Sequence, residues 1–310
     1  MGKDTFEWVL DGPPPLIHSH GRIKHDVYLK YLRDYVFALI QNPRRRQLRL
    51  TVVDGFCGGG VYRDAQSNAE VSGSPVLLAE ELVRLEEEVQ QARTSPFNFD
   101  WELHLSDADP IAIVLLHQVL KDRNLGALIG QKIHIHSGKF EAVFPKLMAH
   151  LRVRKGRSIF ILDQYGYTAV PFRVLREIFS ALRKPEVILT FAYGHIRAFI
   201  TDLDRLNNFL EANGIQPIER DVFDVASLVQ NGTNYLIQKV LREAFLRIAE
   251  YITPFFITSR SAGAKQGSNL EYWMVHMADH ATANDVMKNT HWNLQNSFGH
   301  LGGPGLNMLG

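Results

Sequence analysis

The stretch LRLTVVDGFCGGGVY, residues 48–62, decides how the rest of the chain is read. It opens as a short apolar run with adjacent β-branched residues, Val52 and Val53, the composition of a strand buried on both faces. The run ends on Asp54 and breaks into a turn carrying Gly55, Gly58, Gly59 and Gly60. Glycine costs backbone entropy wherever it sits, so a cluster implies positive φ or a group that comes closer than a Cβ allows. A carboxylate beside a glycine turn at a strand end suits an adenosine-bearing ligand in a doubly wound α/β sheet. Position 63 is Arg63, so the G-x-G-x-x-G dinucleotide fingerprint is incomplete, and no Gly-Lys-Ser/Thr follows to cradle a triphosphate. A glycine-rich turn that holds no ligand stays open as the alternative.

Composition narrows the class. With 45% hydrophobic and 22% charged residues over 310 positions, the chain suits a soluble globular fold of one large or two small domains. A net charge of +1 predicts no global attraction to nucleic acid, so such contacts must come from local patches. Cys57 is the single cysteine, which excludes a disulfide framework and a cysteine-rich zinc site. The first residues do not read as a signal peptide and no apolar run approaches membrane-spanning length, so a cytoplasmic location with no membrane partner is expected.

Outward from the glycine turn, strand-like and helix-like segments alternate. An extended arm with Pro13, Pro14 and Pro15 precedes a helix over residues 23–40, where Tyr28, Leu32, Tyr35 and Leu39 recur at helical spacing. His18 and His20 are read as surface or hydrogen-bonded histidines rather than as half of a metal site, and no metal is expected. Ser74 and Pro75 mark an N-cap and first turn for a helix reaching about residue 91, leaving 61–72 as a loop. Strands are expected over 101–105, 132–136, 158–162 and 186–192, with helices between them, and an antiparallel pair over 255–259 and 272–277. Helical stretches around 199–210 and 235–251 read as an insertion. The division is an arm and helix over 1–47, a core over 48–193, a helical insertion over 194–252, a closing β-pair and helix over 253–298, and a tail over 299–310.

Three expected strand ends carry an acid: Asp54, Asp107 and Asp163. In an open parallel sheet those ends share one edge, so residues far apart in sequence converge there. Arg44-Arg45-Arg46 with Arg49 reads equally well as a solvated loop or as phosphate contacts, and together with the basic cluster over residues 152–157, which includes Arg154, it favours nucleic acid modestly. His276 and His280 fall near the last strand's end, where packing is the expected role.

The D-x-F-x-G-x-G form of residues 54–60 resembles motif I of the S-adenosylmethionine (SAM) methyltransferases. Five βα units and a final β-pair resemble their fold, a doubly wound, mostly parallel seven-stranded Rossmann-like sheet with helices on both faces. That resemblance implies SAM as cofactor, held by Asp54, Phe56, Gly58 and Gly60, with Asp107 on the ribose and Ser137 and Gly138 near the adenine. Asp163-Gln164-Tyr165-Gly166 takes the place of motif IV, where Asp163 would accept a hydrogen bond from a target nitrogen and Tyr165 would stack on the substrate. Methyl transfer from a sulfonium needs alignment rather than a protein nucleophile, so the lack of a Ser-His-Asp or Cys-His pattern is no obstacle. More narrowly, residues 20–39, 54–62, 73–78, 160–167 and 272–287 resemble the three-Cys-motif partner (TcmP) family. Cys57, Gly59 and Gln164 stand where that family favours alanine, proline and proline. The motif-IV likeness and the two basic clusters favour action on nucleic acid, with Arg44, Arg45, Arg46 and Arg154 as contacts, while the TcmP resemblance implies a cysteine-rich, radical-SAM-like partner protein and a mobile-element or phage-defence setting. A catalytically silent scaffold and a methyltransferase for protein or small molecules are the other readings.

Overall fold

The computed structural model describes residues 7–164, 168–191, 202–229, 232–259 and 270–294. In chain order these form β1 (Leu16–Ile17), α1 (Ser19–Ile40), β2 (Gln47–Asp54), β3 (Val61–Asp64), β4 (Glu70–Ser72), α2 (Ser74–Gln91), β5 (Asn98–Asp107), α3 (Pro110–Asp122) and β6 (Ile133–Ser137). Then follow α4 (Phe140–Arg154), β7 (Arg157–Leu162), α5 (Phe172–Ala181), β8 (Glu186–Phe191), α6 (Leu203–Ala212), α7 (Arg220–Ser227), α8 (Gly232–Leu246), β9 (Tyr251–Ser259), β10 (Leu270–Ala278) and α9 (Ala281–Asn293).

Seven strands make the main sheet in the order β6-β5-β2-β7-β8-β10-β9, parallel except that β10 runs antiparallel to both of its neighbours. The apolar run of β2 lies between β5 and β7 and feeds two cores, because side chains alternate along a strand. Val52 joins Tyr31, Leu82, Leu116 and Met287 on one face. Val53 joins Phe144, Phe172, Leu206 and Phe245 on the other. Helices therefore cover both faces, as the sequence predicts.

Local chemistry sets several helix starts. Asp109 caps α3 by accepting from the Ile111 backbone N–H at 2.8 Å, with Pro110 in the first turn, where its missing N–H costs nothing. In α2 the expectation fails. Gly73 is the N-cap, and the Ser74 hydroxyl instead donates to Asp54 at 2.6 Å, since a buried carboxylate is the stronger acceptor.

Residues 61–72 are not the loop expected. β3 pairs with β4 and with β1 in a small second sheet, and the proline arm lies along it, the Arg63 backbone N–H donating to the Pro15 carbonyl at 2.9 Å. Among the described residues of 194–252, α6 and α8 stand where helices are expected, although α8 ends at Leu246 and Tyr251 opens β9; α7 is a further helix that its short amphipathic run did not announce.

One buried acid joins three elements. Glu186 of β8 is 2% exposed, accepts from the Tyr31 hydroxyl of α1 and lies 3.5 Å from the His276 imidazole of β10. Burial pushes its carboxyl well above the usual range and holds His276 down to about 3, so the pair sits neutral.

Candidate functional site

Asp54 and Asp107 are the last residues of β2 and β5, and Asp163 follows the last residue of β7. The strand order reverses between β2 and β7, the switch point at which open α/β sheets form a crevice beyond their carboxyl ends. The three acids converge on that edge, as the sequence predicts. Their immediate surroundings separate them.

Asp54 is buried and inward. It accepts from the Ser74 hydroxyl at 2.6 Å and from the Phe56 backbone N–H at 3.2 Å. Burial raises its pKa to about 7 against these bonds, with Asp163 and Asp107 adding repulsion. Asp107 accepts from the Gly58 N–H at 2.8 Å and from the Asp109 N–H at 2.9 Å, so it braces the glycine turn from the next strand. Burial raises it too, in spite of those bonds. Asp163 is ion-paired with Lys24 of α1 at 2.6 Å. Burial pushes its carboxyl upward, but Lys24, the Thr190 hydroxyl and His25 outweigh that and leave it below the usual value. His20 and His25 stand beside this pair, each held down to about 4 chiefly by burial. Sequence reasoning missed Lys24. The only trace was its place one turn ahead of Tyr28 on the helix that feeds the site.

The glycine turn adopts positive φ at Gly58 (65°) and Gly60 (90°), as its composition implies. The space its missing side chains free is taken by the protein itself. A Cβ on Gly59 would lie 2.5 Å from the Trp8 ring, and one on Gly58 would lie 2.6 Å from the Tyr62 hydroxyl. Trp8 and Tyr62 meet edge to face at 5.1 Å, and Trp8 is only 6% exposed. Cofactor contact along Gly58 and Gly60, as the motif-I resemblance implies, is therefore corrected for this structure: Trp8 of the arm and Tyr62 fill the space at Gly58 and Gly59, and Leu116 and Val76 fill that at Gly60. Toward β6 the same edge is open, since a Cβ on Gly138 would meet only a Val143 methyl at 3.7 Å and Ser137 is exposed. Phe56, half-buried, packs on Phe140 at 5.9 Å beside this opening.

The residues thus suit an adenosine-bearing cofactor in kind and position, with the end at Ser137 and Gly138 accessible and the turn at Gly58 and Gly59 shut under Trp8. Tyr165 lies outside the described residues. Cys57 is buried, and burial pushes its thiol well up, which fits a packing role. His276 is packed with Glu186, and His280 caps α9 by accepting from the Thr282 N–H at 3.1 Å.

The arginines lie at the other end of the strands. Arg93 binds the backbone carbonyls of Ile40, Asn42, Pro43 and Arg45 and so shapes their loop, while Arg44 and Arg46 are exposed. Arg45 lines a cleft of about 560 Å³ together with Arg49, Arg152, Lys155, Arg157 and Arg183. Arg154 is instead engaged with Asp100 at 2.6 Å and Glu102 at 2.8 Å, and is 11% exposed. No helix among the described residues is long and apolar enough to cross a membrane.

Neither a protein-family model nor a curated relative matches the sequence. Among solved structures the chain is similar to a SAM-dependent methyltransferase from Agrobacterium tumefaciens, at 12% identity and a TM-score of 0.38 over 84% of this chain and 62% of that one. It is also similar to the bifunctional kinase-methyltransferase WbdD, at 10% identity and a TM-score of 0.40, over 83% of this chain and 39% of that one. A third likeness is to TYW2 from M. jannaschii in complex with AdoMet, at 12% identity and a TM-score of 0.33 over 83% and 74%. The chain spans less than two thirds of the length of the first two. Likenesses of this size leave the functional reading to rest on the chain's own residues.

Proposed function

We propose that this chain is a SAM-dependent methyltransferase of the three-Cys-motif partner type, acting on a base nitrogen in nucleic acid. The observation that carries the reading is the meeting of Asp54, Asp107 and Asp163 at the switch point of the sheet, around a turn with positive φ at Gly58 and Gly60. Asp54 would hold the amino group of the cofactor, Phe56 would lie along it, and Asp107 would accept from the ribose hydroxyls, with Ser137 and Gly138 at the adenine. Such charge-assisted bonds are worth about 1.5–3 kcal/mol each. Bound there, SAM supplies an electrophilic methyl group. The chain's part is to orient the acceptor: Asp163, a carboxylate held in place by Lys24, accepts a hydrogen bond from the target N–H, and Tyr165 stacks on the base. The TcmP assignment rests on the sequence resemblance and brings with it a cysteine-rich, radical-SAM-like partner. Nucleic acid is supported by the motif-IV likeness of residues 163–166 more than by charge, because the cationic cleft faces away from Asp163.

A second reading, a cofactor-binding scaffold without turnover, is favoured by two observations. Lys24 already occupies Asp163, and Trp8 fills the glycine turn. Isothermal calorimetry with SAM, followed by transfer of labelled methyl to DNA, RNA or protein, decides between them. Binding with transfer to nucleic acid supports the enzyme, and binding with no transfer to any acceptor supports the scaffold. No binding, with Trp8 intact or as Trp8→Ala, rejects both.

A further inference from the structure

A second cluster of titratable side chains lies away from the glycine turn, on the face of the sheet that α4 covers. Glu102 and His104 are two apart on β5 and therefore point the same way, as do His134 and His136 on β6. The strands run parallel with His104 opposite His134, so these residues form one polar patch where a sheet under a helix ordinarily carries apolar side chains. α4 adds His150 from above. The His104 ring stacks on His134 at 4.6 Å and on His136 at 5.3 Å, and meets His150 at 5.1 Å.

The polar atoms converge on one point. His104 Nε2 lies 3.2 Å and His150 Nε2 2.8 Å from the same oxygen of Glu102, Oε2. Ligand atoms about a four-coordinate zinc ion, with bonds of about 2.0–2.2 Å, stand roughly 3.3 Å apart, close to these separations. The far side of His104 has a partner that holds the ring's orientation: its Nδ1 lies 3.1 Å from His136 Nε2, within hydrogen-bond distance in either tautomer. His134 Nε2 is buried with no hydrogen-bond partner. Arg154 occupies the other oxygen of Glu102 at 2.8 Å, and its charge is balanced by Asp100 at 2.6 Å. His150 is 43% exposed and gives an entry path, whereas Glu102 and His104 are 14% and 5% exposed.

Neutral imidazole is the form that ligates a metal. Without an ion, His104 and His150 each donate an Nε2 proton to Glu102. With an ion at both Nε2 atoms, each imidazole carries its proton on Nδ1, and the His104 proton is then donated to His136.

We propose that Glu102, His104 and His150 bind a divalent transition metal of the zinc class, with His136 positioning His104 and water completing the shell. The ion would pin α4 to β5 beside β6, an edge strand of the sheet. His104 is three residues, roughly 10 Å of strand, before Asp107. The proposal is therefore independent of cofactor binding at the glycine turn.

The test uses the whole chain, without a histidine tag and stripped by chelator, titrated with Zn²⁺ in a calorimeter and with Co²⁺ by visible absorption. One equivalent is expected, giving the intense d–d spectrum of tetrahedral Co²⁺ and a rise in Tm. His150→Ala, at a half-exposed position that should fold normally, is expected to weaken binding roughly a hundredfold or more and abolish the rise in Tm. Glu102→Gln serves as a second variant, and His18→Ala/His20→Ala as the control expected to bind normally. No binding, octahedral Co²⁺ alone, or binding lost in the His18/His20 variant and kept in His150→Ala would overturn the assignment.

Discussion

The two ends of the same parallel strands carry opposite chemistry. At the carboxyl end Asp54, Asp107 and Asp163 face one paired lysine, and the arm closes part of the surface over them. At the amino end Arg45, Arg49, Arg152, Lys155, Arg157 and Arg183 open into a cationic cleft. β2 separates them by roughly 23 Å of strand, more than two Debye lengths at physiological salt. Charge thus picks out a face suited to phosphate, while topology picks out the face suited to group transfer, and they are different faces. A nucleic acid held only in the cleft would leave its bases far from Asp163.

The strongest way to break this contrast is to crowd the glycine turn. Gly58→Val places a branched side chain at φ +65° against Tyr62 and Trp8. A loss of about 2–5 kcal/mol in denaturant-derived stability is expected from overpacking and left-handed strain together, along with loss of SAM binding. A loss under about 0.5 kcal/mol would mean that the turn does not hold position 58 at positive φ against Tyr62 and Trp8 in solution.

Asp54 sharpens the comparison through pH. Its pKa of about 7 must fall for it to hold a cationic amino group, so SAM affinity should drop up to tenfold per pH unit below 7 and level off above. Asp54→Ala should remove binding, and a flat affinity from pH 5.5 to 8 would dissociate Asp54 from the cofactor. In the unliganded chain the raised pKa works against folding as pH climbs from about 4 to 7. Asp54→Asn should flatten that part of the stability profile.

Asp163→Ala separates holding from reacting at the carboxyl edge. Calorimetry should find SAM binding within about threefold of the parent, and methyl transfer should fall by at least a hundredfold. Normal transfer would remove Asp163 from the acceptor site.

Trp8→Ala should raise SAM affinity several-fold by freeing the turn; a weaker complex would make the indole part of the pocket wall. The smallest effect belongs to the amino edge. Arg45→Glu with Arg183→Glu should weaken nucleic-acid binding and reduce its salt dependence by about two ion equivalents, leaving SAM affinity unchanged. Binding that ignores both substitutions would make the cleft a solvated surface.

The sheet was legible because its strands are apolar runs ending on acids, and because the βα alternation admits few topologies. What escaped depends on contacts distant in sequence. Trp8 sits in an arm with no periodicity, and nothing local says that it folds onto Gly59 about fifty residues on. Val61–Asp64 and Glu70–Ser72 are too short for period-two patterning to register; they pair with each other, and the arm strand β1 adds to the free edge of Val61–Asp64. The histidine patch left a signal in Glu102-x-His104 and His134-x-His136, alternation with polar residues on one face. Recognising it required knowing that β5 and β6 are neighbours and that α4 brings His150 across them.

Glu186 gives the molecule a weak point toward alkali. Its proton is retained in the fold and lost in the open chain, so each rise in pH above the ordinary carboxyl range taxes the junction of α1, β8 and β10 and never repays it. Hydrogen exchange at pH 9 should therefore quicken first in β10, where the antiparallel hairpin joins the parallel strands, ahead of β2 and β5. Glu186→Gln, which keeps the Tyr31 hydroxyl supplied with an acceptor, should delay that parting.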